Sequence, residues 1–178
     1  YGLDQTKMLC DAGNTRPTLT ARVNRKRASV DKLISALSAE SIEAIPSDLI
    51  SGFVTIPKPS GLFDTEPYRA GWFSIQGLGA ARACQLLKAE PGHRILDVCA
   101  APGGKAMSAA EQGAHVFASD VNVSRLRPLV ENRKRLGLTY DVLACDARAL
   151  PYTESFDQVI VDAPCTGLGT LSRHPEIR

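Results

Sequence analysis

The sequence predicts an α/β protein in which a small α+β domain precedes a domain built from parallel β-α-β units. Two observations carry this prediction. In the second half of the 178 residues, short apolar segments typical of strands alternate with helical segments at a spacing that favours parallel strands. The first half lacks this alternation and ends in a stretch, residues 57–71, that proline and glycine punctuate as a linker.

Residues 1–73 are expected to form the small α+β domain together with its linker. Ser29 is suited to cap a helix over residues 30–39, because its hydroxyl can accept a hydrogen bond from a backbone N–H of the first turn. The strand candidates, chosen by alternating or continuous apolar residues, are 18–24, 42–45 and 49–56.

Residues 74–178 carry the regular pattern. Helix formers fill residues 74–88, a second helix is expected over 105–112, and a third follows a cap at Ser124. Pro128 falls in that third helix and is expected at or near its first turn, because proline lacks the N–H that a helix interior needs. The predicted strands are 95–98, 115–119, 140–144 and 158–161.

An aspartate lies on or just after the carboxyl end of each of these four strands. A single aspartate in such a place is usually a turn former or a helix cap. Parallel sheets, however, bind ligands beyond the carboxyl ends of their strands, and four acids on four successive strands would share that edge. The pattern therefore indicates one common site, formed by Asp97, Asp120, Asp146 and Asp162.

Composition argues against several classes of protein. No apolar run is long enough to span a bilayer, and no secretion signal opens the chain, so we expect a cytoplasmic protein without a membrane partner. The five cysteines are widely spaced without a C-x-x-C pair, which argues against a disulfide framework and against a metal site. Because the first residue is Tyr1 and not Met, we expect the natural N-terminus to be missing.

A loop of small residues, from Cys99 to Lys105, follows the first of the four strands. Small side chains let a backbone approach a ligand closely, and a helix N-terminus favours a negatively charged group. The spacing is neither G-x-G-x-x-G nor that of a P-loop, since Ala106 follows Lys105. Asp120, after the next strand, suits a ribose with free hydroxyls. The loop thus favours a nucleotide-type ligand, with an ordinary tight turn as the alternative.

The segment Asp162-Ala163-Pro164-Cys165 places a carboxylate and a thiol around a rigid proline, just after the last predicted strand. A thiolate is a strong nucleophile once its pKa is lowered, so this segment is a candidate reaction centre. A purely structural cysteine is the alternative.

Two long stretches, Ile95 to Lys105 and Asp157 to Arg178, closely resemble the Nop/Sun-type RNA cytosine-C5 methyltransferases. The bacterial, Sun/Fmu-like members that modify small-subunit ribosomal RNA are the most similar. Residues 162–169, followed by Arg173-His174-Pro175-Glu176, are highly characteristic of the family. Residues 16–24 resemble its lead-in to the small N-terminal domain, and residues 71–76 its entry to the catalytic domain.

The resemblance implies a Rossmann-like S-adenosylmethionine methyltransferase domain in residues 74–178, and methylation of cytosine carbon 5 in RNA. The loop is expected to hold the methionine end of the cofactor, Asp120 the ribose and Asp146 the adenine edge. The implied cofactor contacts are Cys99, Ala100, Ala101, Pro102, Gly103, Gly104, Lys105, Asp120, Asp146 and Asp162.

The resemblance also assigns roles at the reaction centre. In this family the covalent nucleophile belongs to a Thr-Cys motif on a later strand, so Cys165 is expected to assist product release, and Asp162 is expected to hydrogen-bond the activated ring. No Thr-Cys pair precedes Arg178, so the nucleophile is expected to lie outside this sequence. The expected enzyme is a metal-free monomer acting on ribosomal RNA.

Basic residues are clustered although the formal net charge is only +2. Such a run is more often a solvated face than a binding patch. The small domain has no other evident chemistry, so its cluster is predicted to contact RNA phosphates, with a second contact just after the reaction centre. The predicted RNA-binding residues are Arg22, Arg25, Lys26, Arg27, Arg173 and His174.

Two departures from the family leave the substrate less determined than the chemistry. Gly77 follows Gln76 where the family usually has an acid, and Ala106-Met107 follows Lys105 where a Thr is common. The alternatives are a methyltransferase acting on another substrate and a non-catalytic RNA-binding protein that keeps the cofactor fold.

Overall fold

The computed structural model describes residues 1–15, 18–165 and 167. Residues 19–162 form one compact unit, and the described residues outside this range, 1–15, 18, 163–165 and 167, belong to a second unit. That second unit contains helix α1 (Leu3–Asn14). The sequence pattern did not predict α1, because the helix begins after Gly2 without a capping side chain.

The small domain is built on an antiparallel sheet with strand order β2-β3-β1-β4. Helix α2 (Val30–Ala39) packs on it with Leu33 and Leu37 buried. The Ser29 hydroxyl accepts a hydrogen bond from the Lys32 N–H at 3.2 Å, so this helix begins where the cap predicted. The strands are β1 (Leu19–Val23), β2 (Ile45–Pro46), β3 (Phe53–Ile56) and β4 (Phe73–Ile75).

Strand β4 crosses the predicted boundary between residues 73 and 74. It pairs with β1, with Ser74 opposite Arg22 and Ile75 opposite Ala21, so residues 74 and 75 belong to the small domain's sheet. The helix predicted over 74–88 is correspondingly shorter. The elements of this region are a 3₁₀ turn (Leu62–Asp64), α3 (Glu66–Arg69) and α4 (Leu78–Gln85).

The second sheet is parallel, with strand order β7-β6-β5-β8. The chain builds outward from β5 to β7 and then returns to the other side of β5, so the order reverses between β5 and β8. Ligands of open α/β sheets bind at such a reversal, beyond the carboxyl ends of the strands. The strands are β5 (Arg94–Asp97), β6 (His115–Asp120), β7 (Asp141–Ala144) and β8 (Gln158–Ile160).

Helices α5 (Gly104–Glu111) and α6 (Val123–Leu136) follow β5 and β6 and share one core with Val116 and Ala118 of β6. The prediction that Ser124 caps α6 is wrong. Asn122 caps it, since its side-chain oxygen accepts from the Ser124 N–H at 3.0 Å. Pro128 consequently lies in the second turn and not in the first. It is tolerated there because Ser124, whose carbonyl would otherwise pair with residue 128, is exposed to water.

In the described part of the chain, no helix has the length and apolar character needed to traverse a bilayer. Among the same residues, no group of three or more histidine, cysteine or acidic side chains is placed to hold a metal ion.

Candidate functional site

A cleft of about 230 Å³ opens beyond the carboxyl ends of β5 and β8, where the strand order reverses. Asp97, Asp162 and Lys105 line it from the parallel sheet and the start of α5, and Gln76 and Gly77 line it from the segment after β4. The remaining lining residues from the small-residue loop are Cys99, Ala100, Ala101, Pro102 and Gly104. The structure therefore brings the loop and two of the four acids into one cavity.

The loop is held by bonds to both neighbouring elements. The Ala100 N–H donates to the Ser119 carbonyl of β6 at 2.8 Å, and the Arg125 guanidinium of α6 donates to the Ala101 carbonyl at 2.8 Å. Gly103 has φ +111°, and a Cβ at this position would lie 3.3 Å from Leu129 Cγ. Only glycine suits this conformation and this close approach, which explains the small residue immediately before α5.

Asp97 ends β5 and is 1% exposed. Burial raises the pKa of this carboxyl to about 7, against the opposing effects of the Cys99 N–H, which donates to Asp97 Oδ1 at 3.4 Å, and of the Lys105 charge. A carboxyl at the cleft wall that titrates near neutral pH will change its charge in response to any cation placed beside it.

Asp120 ends β6 and is 2% exposed. Its Oδ1 accepts from the Asn122 N–H at 3.0 Å. Its buried Oδ2 has no hydrogen-bond donor among the described residues, and the Arg125 guanidinium lies 3.5 Å away. Buried carboxylate oxygens are nearly always hydrogen-bonded, so this atom is suited to accept a donor from a ligand.

Asp146 and Asp162 follow the two outer strands of the described sheet and are more exposed. Hydrogen bonds from Arg148 hold the pKa of Asp146 down, at about 2. Asp162 is paired with Lys105 across the cleft. The Cys145 N–H donates to the Asp120 carbonyl at 3.3 Å. Asp146 is the residue after Cys145, so it directly follows this contact with Asp120, the acid expected to bind a ribose. Gly103, Asp120 and Asp146 lie outside the lining of the cleft that the described residues form.

The thiol of Cys99 is not activated by its surroundings. Burial raises its pKa, and the charges of Asp120 and Asp97 raise it further. The thiol therefore stays protonated at neutral pH, which suits a loop residue that packs against a ligand and does not attack one. Cys165 belongs to the separate unit at the chain ends, where the Gly167 N–H lies 3.4 Å from its sulfur.

The basic cluster of the small domain divides in two. Arg25, Lys26 and Arg27 are exposed. Arg22 is buried and forms an ion pair with Glu111 at 3.0 Å, so its guanidinium is not open to an RNA phosphate, and the expectation that it contacts RNA is wrong. The physical reason is strand alternation combined with tertiary packing, because Arg22 points from β1 toward α5. The predicted RNA contacts Arg173 and His174 lie outside the described residues.

Two residues of the site were not predicted from the sequence. Gln76, noted there only as part of a motif, lines the cleft. Arg125, which the sequence analysis did not single out, contacts both Asp120 and the loop. Its place in the first turn of α6, five residues after a strand-end acid, was a usable signal, whereas no local pattern marks Gln76.

Comparison with known proteins identifies the family. Residues 84–178 match the model described as 16S rRNA methyltransferase RsmB/F, and residues 1–62 match the ferredoxin-like domain of RsmF/B-like methyltransferases. Ribosomal RNA small subunit methyltransferase B of Yersinia enterocolitica is 36% identical, over 98% of this chain and 42% of the relative. The protein of that name in Pseudomonas syringae pv. tomato is 33% identical, over 98% and 40%. This chain thus spans about two fifths of these relatives' length.

Solved structures show the same architecture. The crystal structure of PH0851 is 31% identical and superposes with a TM-score of 0.91, over 98% of this chain and 41% of that one. NSun6 from Pyrococcus horikoshii, solved with SFG, gives 0.83 at 20% identity over 94% and 68%, which supports the fold. The predicted fold class and the family resemblance are confirmed: this chain belongs to the RsmB/F family of 16S rRNA methyltransferases.

Proposed function

We propose that the protein transfers a methyl group from S-adenosylmethionine to carbon 5 of a cytosine in small-subunit ribosomal RNA, and that this chain carries the cofactor site. The observation that carries the proposal is a pair of buried carboxylates near the small-residue loop: Asp97 ends β5, beside the strand-order reversal, and Asp120 ends the neighbouring strand β6. The relatives named as small subunit methyltransferases support the ribosomal substrate.

The residues present fit this cofactor. Asp120 Oδ2 is buried and has no donor among the described residues, which suits a ribose hydroxyl. Asp97 is a buried acid beside the loop, which suits the ammonium of a methionine end. Asp146, just beyond Asp120 along the sheet edge, is the proposed contact for the adenine. The loop from Cys99 to Lys105 supplies the close backbone approach.

When bound, S-adenosylmethionine supplies an electrophilic methyl group on its sulfonium. Asp162 lines the cleft, and its pairing with Lys105 orients the carboxylate there. We assign Asp162 to hydrogen-bond the cytosine ring once a thiolate has added at carbon 6. Cys165, three residues later, is assigned to product release, which needs loss of the proton from carbon 5 after methyl transfer. A separate cysteine is assigned to the addition, because one thiol serves only one of these two steps well.

The exposed cations of the small domain, Arg25, Lys26 and Arg27, are assigned to RNA phosphates, together with Arg173 and His174. Because the proposed substrate is ribosomal RNA, we propose that the enzyme acts in the cytoplasm, as a metal-free monomer.

Trapping on RNA that carries 5-fluorocytosine tests the chemistry, because fluorine blocks the elimination and leaves the enzyme covalently attached. In the full-length protein, Cys165→Ala is expected to form the trapped complex and, on ordinary RNA, to accumulate an unreleased adduct. Wild-type protein with unmodified RNA is the control. If Cys165→Ala gives no trapped complex although it binds RNA and cofactor, Cys165 is itself the nucleophile and the assignment is overturned.

A further inference from the structure

A buried polar network connects the small domain to the small-residue loop, Cys99 to Lys105. Arg22, on β1, is 7% exposed, and its guanidinium donates to the Gln76 side-chain oxygen at 2.8 Å and to the Gly104 carbonyl at 3.3 Å. It also forms the ion pair with Glu111, at the last residue of α5. One side chain of the antiparallel sheet thus contacts both ends of the helix that begins in the loop.

Gln76 completes the network and is itself fixed to β1. Its side-chain N–H donates to the same Gly104 carbonyl at 3.1 Å. Its backbone N–H donates to the Thr20 carbonyl at 3.2 Å, and its carbonyl accepts from the Thr20 hydroxyl at 2.7 Å. Gln76 also lines the cleft. The Gly104 carbonyl therefore has two buried donors, and both are held by β1.

This arrangement is more specific than packing requires. A buried ion pair adds little to stability compared with apolar residues of the same volume, because both charges lose their water. What the guanidinium adds is geometry, since its planar fork bonds several acceptors in fixed directions. Two of the acceptors here are the Gly104 carbonyl, at the first residue of α5, and the Glu111 carboxylate, at its last residue.

We propose that Arg22 and Gln76 are positioning residues for the cofactor, which hold the Gly104 carbonyl and thereby set the conformation of the loop from Cys99 to Lys105. The inference rests on the proposed function in taking S-adenosylmethionine as the ligand of this loop. It gives the small domain a second role beside RNA contact, carried by a different member of the same basic cluster.

The test compares a neutralised network with an exposed control in the full-length protein. Arg22→Gln combined with Glu111→Gln removes the fork without leaving a buried unpaired charge. Arg22→Lys keeps the charge beside Glu111 but loses the planar fork. Arg25→Gln, an exposed cation three residues after Arg22, is the matched control. Two readouts are used, namely calorimetric titration with S-adenosylhomocysteine and hydrogen exchange of the amides of residues 99–106 without ligand.

We expect both Arg22 variants to bind S-adenosylhomocysteine at least about fivefold more weakly, which is the lower end of coupling between distinct sites. We also expect their loop amides to exchange faster while those of β5 and β6 do not change. Arg25→Gln should match wild type in both readouts. Unchanged exchange in the loop of either folded Arg22 variant, or wild-type affinity in Arg22→Lys, overturns the proposal.

The two ideas fail in different ways. If wild-type protein binds no S-adenosylhomocysteine, the cofactor assignment fails, while loop exchange still tests whether the network holds the loop. If wild type binds and the Arg22 variants bind equally well, the cofactor assignment stands and the positioning role is wrong. Should the double variant not fold, the comparison of Arg22→Lys with Arg25→Gln decides the question.

Discussion

The aspartates at the ends of the two inner strands of the parallel sheet differ in exposure from the aspartates that follow its two outer described strands. β5 and β6 end in Asp97 and Asp120, which are 1% and 2% exposed. Asp146 and Asp162, which follow β7 and β8, have side chains that are 37% and 61% exposed and are paired with Arg148 and Lys105. Burial raises the pKa of Asp97 to about 7, whereas hydrogen bonds hold that of Asp146 at about 2.

The four aspartates are alike in the sequence, but the fold divides them into a buried pair and a more exposed pair. The inner carboxylates lack water and respond to whatever ligand is near, so they are suited to recognition. The outer carboxylates are exposed to water and directly bonded to a cation, whereas the buried Asp120 Oδ2 has Arg125 only 3.5 Å away without a hydrogen bond. An added ligand therefore changes the energy of the outer carboxylates less. Substitutions on the inner strands should therefore have larger effects than substitutions on the outer strands or on the exposed surface.

The largest effect is expected from Asp97→Asn, measured as folding stability against pH. The folded pKa of about 7 lies above the ordinary value of 3.8. Below pH 3.8 the carboxyl is therefore protonated in both the folded and the unfolded chain, and it does not lower the free energy of unfolding. As pH rises toward 7, the unfolded chain loses the proton first and stability falls. Asparagine avoids this, so Asp97→Asn should be more stable than wild type at pH 8, by up to about 4 kcal/mol, but not at pH 4.

Urea unfolding of wild type and variant at both pH values measures this difference. Asp146→Asn is the control, because the pKa of Asp146 is lowered to about 2 and its proton equilibrium does not change between pH 5 and 8. The burial argument is wrong if Asp97→Asn and wild type lose stability in parallel from pH 5 to 8.

The second effect concerns cofactor affinity. Asp120→Ala should weaken binding of S-adenosylhomocysteine by about 1 to 3 kcal/mol, roughly five- to 150-fold, because the variant has no buried acceptor for the ribose. Asp141→Ala is the matched control, since Asp141 is an exposed acid at the opposite end of β7. Calorimetry on the full-length proteins gives both values. Equal affinity in the two variants would remove Asp120 from the ribose.

The third effect is smaller and tests the outer strands. Asp146→Ala should weaken cofactor binding less than Asp120→Ala does, because Asp146 is partly exposed and its carboxylate is already bonded to Arg148. A loss of affinity as large as that of Asp120→Ala would show that exposure does not separate the two pairs of acids.

The smallest effect per residue is expected from the exposed cations. Replacing Arg25, Lys26 and Arg27 together by glutamine should reduce the slope of log affinity for RNA against log salt by about 2 to 3, because each cation that no longer neutralises a phosphate lowers the slope by slightly less than one. Arg22→Gln combined with Glu111→Gln should leave the slope unchanged, because Arg22 is buried and paired with Glu111 and so neutralises no phosphate. RNA titrations at several salt concentrations measure both. If the triple variant keeps the wild-type slope, the RNA-binding face lies elsewhere.

Local patterns predicted local elements well. Helix α2 coincides with its prediction over 30–39, since a serine cap and apolar spacing act within a few residues. The four parallel strands were likewise found within one or two residues of their predicted ends. β4 was not predicted, because its partner β1 lies about fifty residues earlier and pairing at that distance leaves no local pattern.

The sequence by itself determined the family, the two sheets' main elements, the small-residue loop and the four acids at strand ends, because motifs and periodicity are properties of neighbouring residues. The tertiary structure decided which of these charges is buried. Strand order placed β5 and β6 inside and β7 and β8 outside, which divided the acids. Packing of β1 against α5 turned Arg22 inward while Arg25, three residues later, stayed in water. Burial depends on elements that are distant in the chain, and together with hydrogen bonds and neighbouring charges it sets the pKa of an otherwise identical side chain.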